Sequence, residues 1–247
     1  MIRFLLSWLI SSPSLTAVDC IAHRGDSLHH PENSREAIAS AWKKGSDIVE
    51  LDIRMTRDGE LVLFHDAEIN KKQVSEMSHA ELDAEDREKQ VIALRQCLQG
   101  AETGQVFLLD LKEHGEAFLK AVVSLVESAT PSGVVVILQS NRMDTLASLR
   151  DLASADRALF YVTDLKPRPR ASELAAELKK RKLQGITAKG RQFVDKEFVA
   201  EFQKRGLKYY VWTINPRERI EHYVGLGVDG VITDNPALFC EVVGKSQ

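Results

Sequence analysis

Ile48-Val49-Glu50-Leu51-Asp52 is the stretch on which the fold turns. It is a short apolar run with carboxylates at alternate positions, and it reads as a β-strand. Residues two apart on a strand share a face, so Glu50 and Asp52 project together while Val49 and Leu51 face the other way. The apolar pair belongs under helices, which turns both carboxylates toward an interior. Outward from this strand, short apolar runs recur at 20–22, 106–111, 134–138, 158–162, 185–187, 209–213 and 230–233. Segments between them, such as 117–126 and 173–183, carry apolar residues at helical spacing. Helix punctuation agrees. Asn33 with Glu36 three positions on forms a capping-box pattern, and Pro216 and Pro236 stand where first helical turns begin. Gly45, Gly206 and Gly227 follow predicted helices, where a left-handed cap needs glycine.

Eight β-then-α units in 247 residues match the count and size of an α/β fold of the (β/α)8 TIM-barrel type. A doubly wound open sheet usually has fewer strands and no closure. We expect one domain over 1–247, with an insertion at about 56–91 after the second strand. That insertion begins as a hairpin: 61–64 follows the Asp58-Gly59 turn and pairs back on the strand before it. Residues 68–90, the most charged stretch, are expected to be partly helical and the most mobile part of the chain.

Composition limits the function. The chain has 33 Lys and Arg against 36 Asp and Glu, a net charge of −3, which argues against nucleic acid as a partner. Cys20, Cys97 and Cys240 are far apart with no CxxC pair, which is neither a disulfide framework nor a zinc site and suits a reducing, cytoplasmic compartment. The start, Met1 to Ile10, has one Arg and a short apolar run. It is too short for a bilayer span of about 20 residues, so no stable membrane insertion is expected. We read it as a segment packing over the end of the fold; the alternative is a secretory signal cleaved near Ala17.

In a TIM barrel the active site lies at the C-terminal ends of the strands. Reading each strand to its end gives His23 and Arg24, then Glu50 and Asp52, Asp110 and Lys112, Gln139, Asn215 and Asp234. Glu50, Asp52 and Asp110 would repel one another in a low-dielectric mouth unless neutralised, and one hard divalent cation with oxygen ligands does that. Mg²⁺ or Ca²⁺ fits best, with Mn²⁺ as a further option. Of seven histidines, His29, His30, His79, His114 and His222 fall in loops or on helices and read as solvated. His23 and His65 close strands at the carboxylate-rich end, where two imidazoles can act as general base and general acid. Arg24 and Lys112 supply the positive charge a phosphate needs.

These residues, in order, resemble the glycerophosphodiester phosphodiesterase family. The resemblance is carried by His23-Arg24-Gly25, Pro31-Glu32-Asn33-Ser34, Glu50-Leu51-Asp52, Thr56-Arg57-Asp58-Gly59 and His65-Asp66. It continues through Asp110-Leu111-Lys112, Gln139-Ser140, Trp212-Thr213-Ile214-Asn215 and the run from Gly227 to Pro236. It implies a metal-dependent TIM-barrel hydrolase that cleaves small-molecule glycerophosphodiesters to an alcohol and sn-glycerol 3-phosphate. Carried over residue by residue, His23 and His65 are the catalytic pair and Glu50 and Asp52 metal ligands. Arg24 and Lys112 hold phosphate, and Trp212 lines the pocket. Asn33 and Asp234 are expected to be structural, as a helix cap and a strand-to-helix turn. Asp110 stands where the family usually has glutamate, which shortens the reach by one methylene and favours the less exacting Ca²⁺. The insertion is shorter than is usual in the family, which implies an open mouth and broad head-group tolerance. The alternatives are a lysophospholipase D-like phosphodiesterase using the same site, and a catalytically impaired barrel that only binds phosphoesters.

Overall fold

Each predicted strand forms, and the pairing closes. The structure is a computed structural model that describes residues 18–153 and 157–245; the N-terminal segment expected to pack over the fold lies outside them. The barrel strands are β1 (Asp19–His23), β2 (Ile48–Met55), β6 (Val106–Leu111), β7 (Val135–Ser140), β8 (Leu159–Thr163), β9 (Gly185–Lys189), β10 (Lys208–Trp212) and β11 (Gly230–Thr233). They pair in parallel in the order β1-β11-β10-β9-β8-β7-β6-β2, and β2 returns to β1, so no barrel edge is left open. Between them run the helices α1 (Arg35–Lys43), α3 (Leu94–Gln99), α4 (Glu116–Ala129), α5 (Met143–Leu152), α6 (Ala171–Lys180), α7 (Lys196–Gln203) and α8 (Arg217–Leu226), and α9 (Pro236–Val243) follows the last strand. This is the expected (β/α)8 TIM barrel.

Strand periodicity sorts the chain into two cores. Outward-facing residues such as Val49, Leu51, Ile53, Leu109 and Leu138 pack under the helices in one large cluster. Inward-facing Ile21, Ile48, Leu108, Ile137, Phe160, Tyr210 and Ile232 form a second cluster that plugs the barrel. Phe160 and Tyr210 stack there with ring centroids 5.0 Å apart. The space they occupy requires Gly185, where an added Cβ would lie 2.3 Å from the Phe160 ring.

After β2 the chain turns through Asp58-Gly59 into β3 (Leu61–Leu63), which pairs antiparallel with β2 through Ile53 and Leu63. A two-stranded ribbon, β4 (Glu68–Ile69) and β5 (Lys72–Gln73), and α2 (His79–Glu85) follow. Val62, Phe64, Val74, Met77, Leu82 and Val91 give this excursion an apolar cluster of its own. Ser78 and Glu81 cap α2 reciprocally.

One helix start differs from the expectation. Ser34, not Asn33, caps α1 by accepting from the Ala37 amide at 3.0 Å. Asn33 sits at φ 57° and spends both ends of its amide on Asp52, so it has nothing left for the helix.

Candidate active site

The period of two that builds the barrel plug also builds the site. Two residues beyond Ile21, Ile48, Leu108, Ile137 and Ile232 on the same strand faces stand His23, Glu50, Asp110, Gln139 and Asp234. Each strand thus passes from an apolar layer to an ionisable one at its C-terminal end. Asp52 lies one step further along β2, level with Asp110 in the pairing register.

Glu50, Asp52 and Asp110 each bring a carboxylate oxygen within 4.8 Å of the others. The shorter Asp110 side chain therefore still reaches the cluster. Glu50 and Asp52 are 2% and 1% exposed. Burial, with Asp52 alongside, pushes the Glu50 carboxyl above its ordinary range. Burial also raises Asp110, against the pull of Lys112. Asp52 is held low in spite of burial, because Lys112, Arg24 and Asn33 all favour its charge.

The bonds around Asp52 explain this. Arg24 Nε lies 3.1 Å from Oδ2 and Lys112 Nζ 2.9 Å from Oδ1, while Asn33 Nδ2 donates to Oδ2 at 3.0 Å. Lys112 is also paired with Asp110, and Arg24 with Glu32 at 2.5 Å. The Arg24 backbone N–H donates to Glu50 at 3.0 Å, from a left-handed conformation with φ 56°. Gly25 continues this bend at φ 84°, where a Cβ would lie 2.6 Å from the Ala37 backbone. Asp52 Oδ1 is ion-paired to Lys112 but lies outside hydrogen-bond geometry. Three clustered carboxylates, one with a buried oxygen outside hydrogen-bond geometry, are the donor set a hard divalent cation takes.

The two predicted histidines are both oriented by carboxylates. His23 Nδ1 lies 2.6 Å from Asp234 Oδ1, and His65 Nδ1 lies 2.7 Å from Asp66 Oδ1. A carboxylate that accepts a hydrogen bond from Nδ1–H leaves Nε2 of each ring as the nitrogen able to exchange a proton. Burial opposes the charged form of His23, but the Asp234 bond and the Glu50 charge outweigh it and raise the ring. Asp234 is fixed in turn by Ser27 Oγ at 3.1 Å and Asn215 Nδ2 at 2.6 Å. Those bonds and His23 outweigh burial and hold its carboxyl down at about 2. Asp234 thus positions His23 as well as ending β11, a role not read from the sequence.

Every predicted catalytic, phosphate-binding and metal-ligating residue lines one cavity of about 680 Å³, as does Gln139, whereas Asn215 and Asp234 are not on its lining. His23, Arg24, Glu50, Asp52, His65, Asp110 and Lys112 form one wall. Trp212 stands on the other, its indole N–H donating to Thr187 O at 3.2 Å. The structure adds residues the sequence did not single out. Arg54 lines the cavity and donates to His65 O at 2.9 Å. His114, expected to be solvated, lines it too, with Nδ1 3.0 Å from Thr145 Oγ1. Strand parity was the available signal for both, since Arg54 continues the Glu50–Asp52 face and His114 the Asp110–Lys112 face. Among the described residues, no helix is long and apolar enough to cross a membrane.

Comparison with known proteins places this geometry. The family model for the Glycerophosphoryl diester phosphodiesterase family matches residues 23–238. A glycerophosphodiester phosphodiesterase of Caldanaerobacter subterraneus subsp. tengcongensis is 25% identical over 91% of this chain and 97% of its own. A lysophospholipase D of Rattus norvegicus is 25% identical over 91% of this chain and 86% of its own. Among solved structures, an Oleispira antarctica phosphodiesterase in complex with the product sn-glycerol-3-phosphate superposes with a TM-score of 0.82. It is 22% identical, covering 92% of this chain and 96% of that one.

Proposed function

The chain belongs to the glycerophosphoryl diester phosphodiesterase family, and on that premise we propose that it hydrolyses glycerophosphodiesters with one divalent cation and two histidines. The products are an alcohol and sn-glycerol 3-phosphate. The observation that carries this is the meeting of three carboxylates, two carboxylate-oriented imidazoles and two cationic side chains on one wall of one cavity. Glu50, Asp52 and Asp110 hold the cation, with Mg²⁺ or Ca²⁺ the best matches to an all-oxygen site. A bound ion would supply positive charge to the phosphoryl oxygens and acidify the attacking oxygen. Arg24 and Lys112 orient the phosphate, and Nε2 of His23 and of His65 take and return protons on the attacking and leaving oxygens. Trp212 packs against the organic part of the substrate.

The direct test is release of sn-glycerol 3-phosphate from glycerophosphoinositol, glycerophosphoethanolamine and glycerophosphocholine. Release should vanish after EDTA treatment and return with Mg²⁺, Ca²⁺ or Mn²⁺. Release that persists undiminished in EDTA would remove the cation from the proposal.

The Asp234–His23 bond makes a second prediction. Asp234→Asn still hydrogen-bonds His23 but can donate a proton to Nδ1, which turns the ring to the wrong tautomer. We expect kcat to fall about tenfold or more with little change in KM, since a mis-set catalytic base costs rate rather than binding. An unchanged kcat would leave Asp234 as a strand-ending residue only.

One observation favours a longer, lipid-like substrate as a second reading. Leu28, in the loop after His23 and Arg24, is 59% exposed, the one large apolar side chain so exposed among the described residues. It would touch an acyl chain or micelle entering the mouth. Stimulation by micellar lysophospholipid, lost in Leu28→Ser, supports this reading; turnover of lysophospholipids indifferent to both removes it.

A further inference from the structure

The cavity has a second wall, formed by the ends of β8, β9 and β10. Tyr161, Thr163, Asp164, Lys166, Thr187 and Trp212 line it. A phosphate seated on Arg24 and Lys112 leaves this wall for whatever organic group extends across the cavity.

We propose that Lys166 on this wall, with Lys189 over its Trp212, selects a hydroxyl-rich leaving alcohol that carries no positive charge. The proposal rests on the phosphodiesterase reading above and narrows its substrate class.

A cationic alcohol, whether a quaternary ammonium or an amine, is held by a carboxylate or by open aromatic faces. Neither is open on this wall, where the Tyr161 side chain packs against the core under the helices. Asp164 is the only lining carboxylate outside the cluster of three among the described residues. Arg191 already engages it, with Nη2 3.3 Å from Oδ2 and Nε donating to the Asp164 carbonyl at 2.8 Å. Trp212 is likewise taken, since the Lys189 ammonium stands 5.5 Å from its ring centroid. Lys189 shares the interior face of β9 with Thr187, two residues before it, and is paired in register with Trp212. Its charge therefore stands against the Trp212 ring at the C-terminal end of β9. Lys166 adds a second positive charge on the lining itself. A cationic head group meets two like charges and finds no partner.

The same cavity offers partners to hydroxyls. Gln139 Oε1 and Thr187 Oγ1 are buried, line the cavity and lack hydrogen-bond partners. Buried polar atoms are rarely left so. A ligand hydroxyl can donate to Gln139 and either donate to or accept from Thr187. The glycerol half of any substrate brings hydroxyls, so the discriminating element is charge. The range of head groups is then narrower than an open mouth alone implies.

The test uses the full chain with its best ion and compares kcat/KM on four diesters. Two have uncharged polyol leaving groups, glycerophosphoinositol and glycerophosphoglycerol; two have cationic ones, glycerophosphocholine and glycerophosphoethanolamine. At low ionic strength the polyol esters should be favoured about tenfold, a size expected of partly screened like-charge contacts. The gap should shrink to about twofold near ~0.5 M salt, because exposed charges are screened. The double variant Lys166→Glu, Lys189→Glu should close or reverse the gap, and Lys189→Gln alone should narrow it. Glycerophosphocholine turned over as fast as glycerophosphoinositol by the unaltered protein at low salt overturns the proposal. So does a gap indifferent to both salt and the lysine substitutions. Failure of all four diesters with every ion tried is a different result, and it overturns the phosphodiesterase reading underneath.

Discussion

His23→Ala should lower kcat for release of sn-glycerol 3-phosphate by about 10²- to 10⁴-fold, the range that positioned acid–base groups contribute. His65→Ala should fall in the same range. The fold should survive both. Asp234 keeps Ser27 and Asn215 when His23 is removed, and the His65 side chain is 34% exposed with Asp66 beside it at the surface. Thermal melts of the two variants should therefore lie near that of the unaltered protein, so the loss in rate is chemical. A further comparison separates the two roles. An aryl leaving group such as nitrophenol departs without a proton, so a diester carrying it needs no general acid. The variant whose defect shrinks at least about tenfold on the aryl diester has lost the acid, and the other has lost the base. Near-normal turnover in either single variant would remove that ring from the chemistry. Equal defects on both diesters would mean the rings do not divide the work.

What the sequence makes legible follows from periodicity. Every barrel strand and the hairpin after the second strand can be read locally, because β-branched runs, turn residues and helix caps act over a few positions. The carboxylate wall is legible for the same reason. Glu50 and Asp52 share a strand face, and Asp110 follows from the next barrel strand. Pairings across the chain are not legible. His23 and Asp234 are 211 positions apart and meet only because the barrel closes β1 against β11. Asn33 shows how a local signal misleads. Asn33 and Ser34 are adjacent and both are good N-caps, so the pattern cannot tell which one caps. The tertiary demand of Asp52 takes Asn33 and leaves Ser34 for the helix. His114 was hidden differently. It lies three residues past the end of β6, so only an extension of the Asp110–Lys112 parity beyond the strand could have pointed to it.

Asp52 is where site and stability meet, and its removal has the largest expected effect on folding. Its carboxylate is 1% exposed and is the common partner of Arg24, Lys112 and Asn33. Asp52→Ala leaves two half-buried cations short of a counter-charge and an amide short of its acceptor. Breaking a buried ion pair on one side costs about 3–5 kcal/mol. A compensation acts in the other direction, because Asp52 repels Glu50 and helps keep its carboxyl raised. Three attractions against two repulsions, since Asp52 also raises Asp110, leave a net cost that we place near the lower figure, about 3 kcal/mol. For a chain of this size that corresponds to a fall in Tm on the order of 10 °C. The pH dependence has a definite sign. A carboxylate held below its unfolded range adds stability that is present above the unfolded pKa and lost as pH falls through the folded one. The difference in stability between the unaltered protein and Asp52→Ala, in EDTA, should therefore be largest near neutrality and shrink on acidification below the ordinary carboxylate range. Asp52→Asn should fall between the two, since its amide can still accept from Asn33 while the charge is gone. Activity should be lost in both variants. A stability cost under about 1 kcal/mol for Asp52→Ala, or a cost that does not diminish in acid, would mean that Arg24 and Lys112 are satisfied by Glu32 and Asp110 alone.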